Sequence, residues 1–239
     1  MKTADVIIPV YNERENLPLL LRRLQTLPIF KNLNLIFVDN ASTDGSVEYL
    51  AALPEVLLIK HESNFGYGAS LRSGLQAAQC DRVIIIDADC EYPPECIPEL
   101  LQALQQQPVV YASRLLEKTF ATAGMPLLKW FGNTIISSLY NFLFQQRVSD
   151  LYTGCKALRR ECLRDVVLQR EGFEQVLELA VALAQCGIKI AEIPIVFSPR
   201  QHGASKMSHI TETAKYFFWL LRYRLWLPKS SSCRDSRHE

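Results

Sequence analysis

The sequence predicts an α/β protein: a doubly wound, mostly parallel sheet with helices on both faces, followed by C-terminal amphipathic helices. Three observations carry this. Short β-branched runs alternate with leucine-periodic segments from residue 5 to residue 114, the pattern of successive βαβ units. Several runs are apolar at consecutive positions, as strands covered on both faces are. Each run ends in polar, acidic or glycine-rich residues, and ligands of open parallel sheets bind beyond the carboxyl ends of the strands.

Residues 5–10 form the first strand, limited near its end by Pro9, with Tyr11, Asn12 and Glu13 as the turn beyond. Leu17, Leu20, Leu21 and Leu24 recur at helical spacing over 15–26, with acidic residues first and Arg22 and Arg23 later, as the helix dipole favours. Residues 33–38 are the second strand, ending at Asp39. The polar loop NASTDGS follows, then a short helix over 46–52. The third strand, 56–60, leads to NFGYGASLRSG, where Asn64 caps the turn, Gly66 and Gly68 allow close backbone approach, and a helix spans 69–79. After the fourth strand, at 83–86, come a helix over 95–107 and a fifth strand over 109–113 that ends at Arg114. Beyond it lie an aromatic helix within 119–146, a turn at Gly154 with a short strand, a helix over 173–186 stopped by Gly187, an extended run over 188–197, and the basic loop PRQHGASK at 199–206. Residues 229–239 read as a disordered tail.

The chemistry centres on VIIIDADCEYPPE at 83–95. Four apolar residues run into Asp87 and Asp89, and Pro93 and Pro94 stop the extended chain. Period-two alternation puts both carboxylates on one side, with Glu91 continuing the series. Paired carboxylates repel unless a cation lies between them, and a hard divalent ion such as Mg²⁺ or Mn²⁺ accepts oxygen ligands and shares them with phosphates. A D-x-D also marks solvated turns, so its context decides.

That context is a nucleotide. Asp39 after the second strand suits a ribose-holding acid, but the first strand is followed by VYNERE, not by G-x-G-x-x-G, and no G-x-x-x-x-G-K-[ST] occurs. What remains is a nucleoside diphosphate held by acids and a metal, departing as a leaving group. A net charge of +1 excludes a general nucleic-acid binder. Hydrophobic content of 49% and charged content of 21% suit a globular core. Seven cysteines without a C-x-x-C suggest neither a disulfide framework nor a zinc site, and point to a reducing compartment. The amino terminus enters a strand without a secretory apolar region, and no run reaches the length of a membrane span.

The segments IPVYNERENL, VDNASTDGS, NFGYGASLRSG, IIIDADCEYPPE, ASR, VSDLYTGCKALRR and EIPIVFSPRQHGASK, in that order, resemble glycosyltransferase family 2, most closely its dolichyl-phosphate mannose synthase-like branch. The resemblance spans about residues 5–206. It implies a GT-A type fold, a GDP-mannose or UDP-sugar donor, a divalent cation and inversion at the anomeric carbon. It places Pro9, Tyr11, Glu13, Asp39, Asn40, Asn64, Gly66, Gly68, Asp87 and Ala88 around the donor, and Asp87, Asp89 and Glu91 around the metal. Four residues depart from the family pattern: Asn40 stands where a second acid is frequent, Glu91 where many members have Gln, Cys90 where Leu is usual and Tyr67 where a lysine often occurs.

One domain over 1–228 follows, with a nucleotide-sugar half at 1–115, an acceptor half at 116–206 and an amphipathic helix at 207–228. A lipid phosphate is largely dianionic at neutral pH and needs cations rather than a base. Arg114, Arg200 and Lys206 are the candidates beside catalytic Asp89, with Lys156 a weaker one. A hydroxyl acceptor would instead need a carboxylate base. Asp150 and Glu178 would supply it, although structural or orienting roles suit both better. A nucleotide-sugar-binding protein without turnover is the third reading. The aromatic stripe at 130–144 and the aromatic and basic mix at 215–229 fit peripheral contact with the cytoplasmic face of a membrane.

Overall fold

The computed structural model describes residues 2–118, 125–200 and 209–225, with side chains of the last segment from residue 215. Lys206, Trp226, Lys229 and the tail lie outside these residues. Seven strands form one sheet: β1 (Ala4–Val10), β2 (Leu33–Asp39), β3 (Val56–Lys60), β4 (Arg82–Ile85), β5 (Val109–Ser113), β6 (Lys156–Arg159) and β7 (Ile190–Pro194), in the order β3-β2-β1-β4-β6-β5-β7. All neighbouring pairs are parallel except those of β6, which runs antiparallel to both β4 and β5. The sheet is therefore mostly parallel, with one reversed strand near its centre. That reversal brings the start of β6, rather than its end, to the edge where β4 and β5 finish.

Strand burial explains the continuous apolar runs. Val6, Ile8 and Val10 of β1 face one core cluster and Ile7 faces the other, while Leu35 and Phe37 of β2 oppose Ile36 and Val38 in the same way. Helices α1 (Leu17–Gln25), α2 (Ser46–Ala51) and α4 (Ile97–Ala103) are set among these strands, and α1 and α4 cover the first face through Leu17, Leu20, Leu24, Ile97 and Leu100. The second face is covered by α3 (Tyr67–Ala77), α5 (Leu127–Phe144), α6 (Gln175–Gln185) and α7 (His209–Leu225), through residues such as Leu71, Ile136, Tyr140, Leu177 and Leu220. Helix α3 starts two residues before the glycine-rich sequence suggests, because Gly66 takes φ +94° and turns the chain directly into it. The helix expected at 95–107 is shorter and opens with a 3-10 turn at Pro94–Cys96, where proline cannot donate.

Among the described residues no helix is long and apolar enough to cross a membrane. Among the described residues Cys80, Cys90, Cys96, Cys155 and Cys162 are free thiols.

Candidate active site

A cavity of about 420 Å³ opens at the carboxyl ends of β1, β2 and β4. Its polar wall contains Pro9, Tyr11, Glu13, Asn40, Asn64, Gly66, Asp87, Ala88, Asp89, Glu91, Arg114 and Arg200, so most residues singled out from the sequence converge on one space. Asp39 and Gly68 do not line it. Asp39 is buried and turned into its own loop, where it accepts a hydrogen bond from the Ser42 amide. Gly68 is small for another reason: a Cβ there would lie 2.3 Å from the Arg170 carbonyl oxygen. Gly66, although on the wall, would place a Cβ equally close to the Glu171 carbonyl, and the Gly68 amide donates to that same carbonyl at 2.6 Å. The close approach that these glycines permit is thus taken by residues 170–172. Lys206 lies outside the described residues.

Asn64 performs the expected capping, its Oδ1 accepting from the Gly66 amide at 3.0 Å and from Asn40 Nδ2 at 2.8 Å. Asn40 in turn accepts from the Phe65 amide, and its Oδ1 lies 2.9 Å from His61 Nδ1. Backbone donors therefore fix both amide orientations. Glu13 accepts from Asn16 Nδ2 at 2.6 Å and is buried at the start of α1.

The acidic end of β4 is not extended as alternation predicts. The strand stops at Ile85, Ala88 and Asp89 form a turn that bends on through Tyr92, and Cys90 takes φ +62°. Asp89 Oδ1 accepts from the Glu91 amide at 3.0 Å, an Asx turn that prevents the carboxylates from stacking in one row. Asp87 accepts from the Tyr67 hydroxyl at 2.9 Å, while Asp89 Oδ2 pairs with Arg200 at 2.6 Å. Arg200 also lies 3.4 Å from Glu13. Among the described residues, no cluster of three or more carboxylate, imidazole or thiol ligands is assembled, so the predicted set of Asp87, Asp89 and Glu91 is not drawn together as one cage.

These residues nonetheless fit a divalent cation. Burial, then the charge of Asp89, pushes the Asp87 carboxyl up to about 7. Glu91 is raised by burial and Asp89, with Lys129, Arg114 and Arg200 opposing. The donor set is all oxygen, and hard cations take oxygen ligands. Gly154 completes the cradle, since a Cβ there would fall 1.8 Å from Asp87 Oδ2 and 2.9 Å from the Tyr92 ring. Gly154→Ala is therefore expected to cost about 1–3 kcal/mol of stability. Displacement of Asp87 should also weaken nucleotide binding, and thermal unfolding with a nucleotide titration checks both effects.

Arg114 and Asp150 form a bidentate pair beneath the cavity. Asp150 accepts from Arg114 Nε at 2.7 Å, from Nη2 at 2.9 Å and from the Arg114 amide at 3.0 Å, and Asn133 Nδ2 adds a fourth bond at 2.6 Å. Burial pushes Asp150 up, but the Arg114 guanidinium and these hydrogen bonds hold it below the usual carboxylate range. Burial disfavours the Arg114 charge, and Asp150 more than restores it. The Arg114 guanidinium, suggested from the sequence as an acceptor cation, thus keeps its charge, lines the cavity and is balanced by Asp150. Glu178 receives the Gln169 and Arg170 amides at 2.9–3.0 Å and lies off the cavity wall, which gives it a structural role in the 169–170 turn.

The cavity is also lined by Met125, Leu128, Tyr152, Phe173, Val176 and Tyr216, which are apolar or aromatic. Tyr152 and Tyr216 stack at 4.6 Å with planes 5° apart, which fixes α7 over the site. Lys129, on the first turn of α5, also lines the cavity. Sequence reasoning missed it, and it named Tyr67 and Gly154 without foreseeing their contact with Asp87. A lysine opening an aromatic helix carries little signal until the helix is seen to cross a cavity.

The model for glycosyl transferase family 2 matches residues 5–167. An undecaprenyl-phosphate mannosyltransferase of Micrococcus luteus is 30% identical over 217 residues, covering 84% of this chain and 86% of that relative. A dolichol-phosphate mannosyltransferase of Mycosarcoma maydis is 32% identical over 220 residues, covering 86% of this chain and 74% of that relative. Glucosyl-3-phosphoglycerate synthase from Mycobacterium tuberculosis, solved with Mn²⁺, uridine diphosphate and phosphoglyceric acid, superposes with a TM-score of 0.67 at 19% identity over 95% of this chain and 80% of that one. That likeness is one of fold, and the fold is of GT-A type. The chain is a glycosyltransferase and belongs to glycosyl transferase family 2.

Proposed function

We propose that the protein transfers a hexose, with inversion, from a GDP- or UDP-sugar to a polyprenyl phosphate. The observation that carries this reading is that one cavity is lined both by the carboxylates Asp87, Asp89 and Glu91 and by Lys129 with apolar and aromatic residues. The names of the Micrococcus luteus and Mycosarcoma maydis relatives support the same acceptor class.

Asp87, Asp89 and Glu91 would hold a divalent cation, which supplies neutralisation of the charge that develops on the leaving diphosphate. Glu13, Asn40 and Asn64 line the part of the cavity that would receive the nucleoside. Among the described residues, neither of the two carboxylates read as a base is spare, which favours a phosphate nucleophile over a hydroxyl. Asp150 is saturated by Arg114 and Asn133, Glu178 faces away, and a lipid monophosphate with a second pKa near 6 attacks without deprotonation. Lys129 is the cation that would position it, with Arg200 shared between donor and acceptor sides.

The exposed apolar residues of α5 continue outward from the cavity. Leu127, Leu128, Phe131, Ile135 and Phe142 are exposed, whereas Ile136 and Tyr140 of the same helix are core. On α7, Phe217, Phe218 and Leu225 are exposed beside Lys215, Arg222 and Arg224. Apolar residues flanked by basic ones are suited to the headgroup layer of an anionic membrane.

The test is transfer of radiolabelled hexose to extractable lipid from GDP-mannose and UDP-hexoses, with Mn²⁺, Mg²⁺ or a chelator. Transfer should require the cation. Lys129→Met should raise the KM for polyprenyl phosphate roughly 10- to 100-fold, the worth of one charge-assisted hydrogen bond, with donor affinity unchanged. Label appearing only on water or on a soluble hydroxyl acceptor would reject the lipid reading.

A further inference from the structure

Lys156 is a buried cation that the transfer chemistry described above does not use. It is 1% exposed, lies off the cavity wall and opens β6 opposite Ile85, two residues before Asp87. Its ammonium donates to the Thr153 carbonyl and lies 5.2 Å from the centre of the Tyr111 ring. Neither contact is an anion, and a buried ammonium needs one. Two carboxylates act on it, Asp87 and Asp150. Asp150 is already held by both guanidinium nitrogens of Arg114 and by Asn133, which leaves Asp87. The strand ends thus contain one contact pair, Arg114 with Asp150, and beside it Lys156, which the pairing of β6 with β4 sets next to the Asp87 turn without an ion-pair contact.

We propose that Lys156 is a positioning residue of the donor site, the fixed counter-charge that holds Asp87 from behind while the carboxylate faces the cavity. It acts through a second contact as well. The Thr153 carbonyl that it binds precedes Gly154, whose backbone walls Asp87 Oδ2, so one ammonium orders both the carboxylate and its cradle. The proposal rests on the donor reading above. It explains why a lysine occupies a strand position where its neighbours Ala157 and Leu158 are wholly apolar and buried.

The experiment is a thermal-unfolding cycle of wild type, Lys156→Met, Asp87→Asn and the double variant, joined to titrations of GDP and UDP with and without Mn²⁺. Each single variant should lower the unfolding midpoint, because each strands one buried charge. The double variant should unfold above Lys156→Met, because neither charge remains. Lys156→Met should also weaken Mn²⁺-dependent nucleotide binding about tenfold or more, the usual effect of removing a group that supports a metal ligand, and leave Mn²⁺-independent binding unchanged. A purely structural lysine would lower the midpoint without that split. A double variant that folds where Lys156→Met does not also supports the pair. Additive shifts, failure of both variants to fold, or unchanged Mn²⁺-dependent affinity in Lys156→Met would overturn it. Wild type that binds neither nucleotide would overturn the donor reading instead, and the thermal cycle would still decide the pair.

Discussion

Asp89→Ala is expected to reduce glycosyl transfer on the order of 100- to 1,000-fold, the loss seen when one group stabilising a developing charge is removed. Asp89 is buried at the cavity, pairs with Arg200 at 2.6 Å and orders the Glu91 amide at 3.0 Å. Its removal therefore deletes one oxygen ligand, releases the turn that aims Glu91, and leaves Arg200 beside Glu13 at 3.4 Å. All three changes oppose binding of a diphosphate and a cation together. Steady-state transfer at saturating Mn²⁺ measures the effect. A residual rate within a few-fold of wild type would show that the leaving group is stabilised elsewhere.

Asp150→Ala should be the most destabilising substitution, at about 3–5 kcal/mol, because it strands a buried guanidinium. Arg114 is 7% exposed and Asp150 fully buried, and the single carboxylate receives four hydrogen bonds that would be lost together. The pH dependence follows from the direction of the shift. Asp150 is held below the carboxylate range in the folded chain, so its stabilising effect is present in full above that range. The effect fades as acid protonates the group. Wild type should lose stability below about pH 4, the ordinary aspartate range, and Asp150→Ala should lose less over the same interval. Equilibrium unfolding across pH distinguishes this role from that of a catalytic base, whose removal would spare stability.

Much of the fold was legible because strands buried on both faces announce themselves as consecutive apolar residues. The runs in β1, β2 and β5, and that of the half-exposed edge strand β3, fall within one residue of the observed elements. The reversed direction of β6 was not legible, since KALR has no signal for pairing partner or sense. That reversal matters for the site, because it delivers Asp150, Thr153 and Gly154 to the same edge as Asp87.

The converging residues could be named from the strand ends, but their partners could not. Arg114 was read as a cation for the acceptor, and its pairing with Asp150 was not foreseen. Gly68 was read as a donor contact and proves to pack on the Arg170 carbonyl. Both partners went unseen for one cause. Pairings between residues 36 and about 100 positions apart depend on tertiary placement, which local spacing does not encode.

The central claim is that the acidic turn after β4 binds a nucleoside diphosphate through a divalent cation. The direct measurement is a calorimetric titration of GDP and UDP into the wild-type chain, with Mn²⁺ and then with excess chelator. The account predicts saturable binding of at least one nucleotide that weakens sharply when the metal is chelated. Equal affinity under both conditions would contradict it.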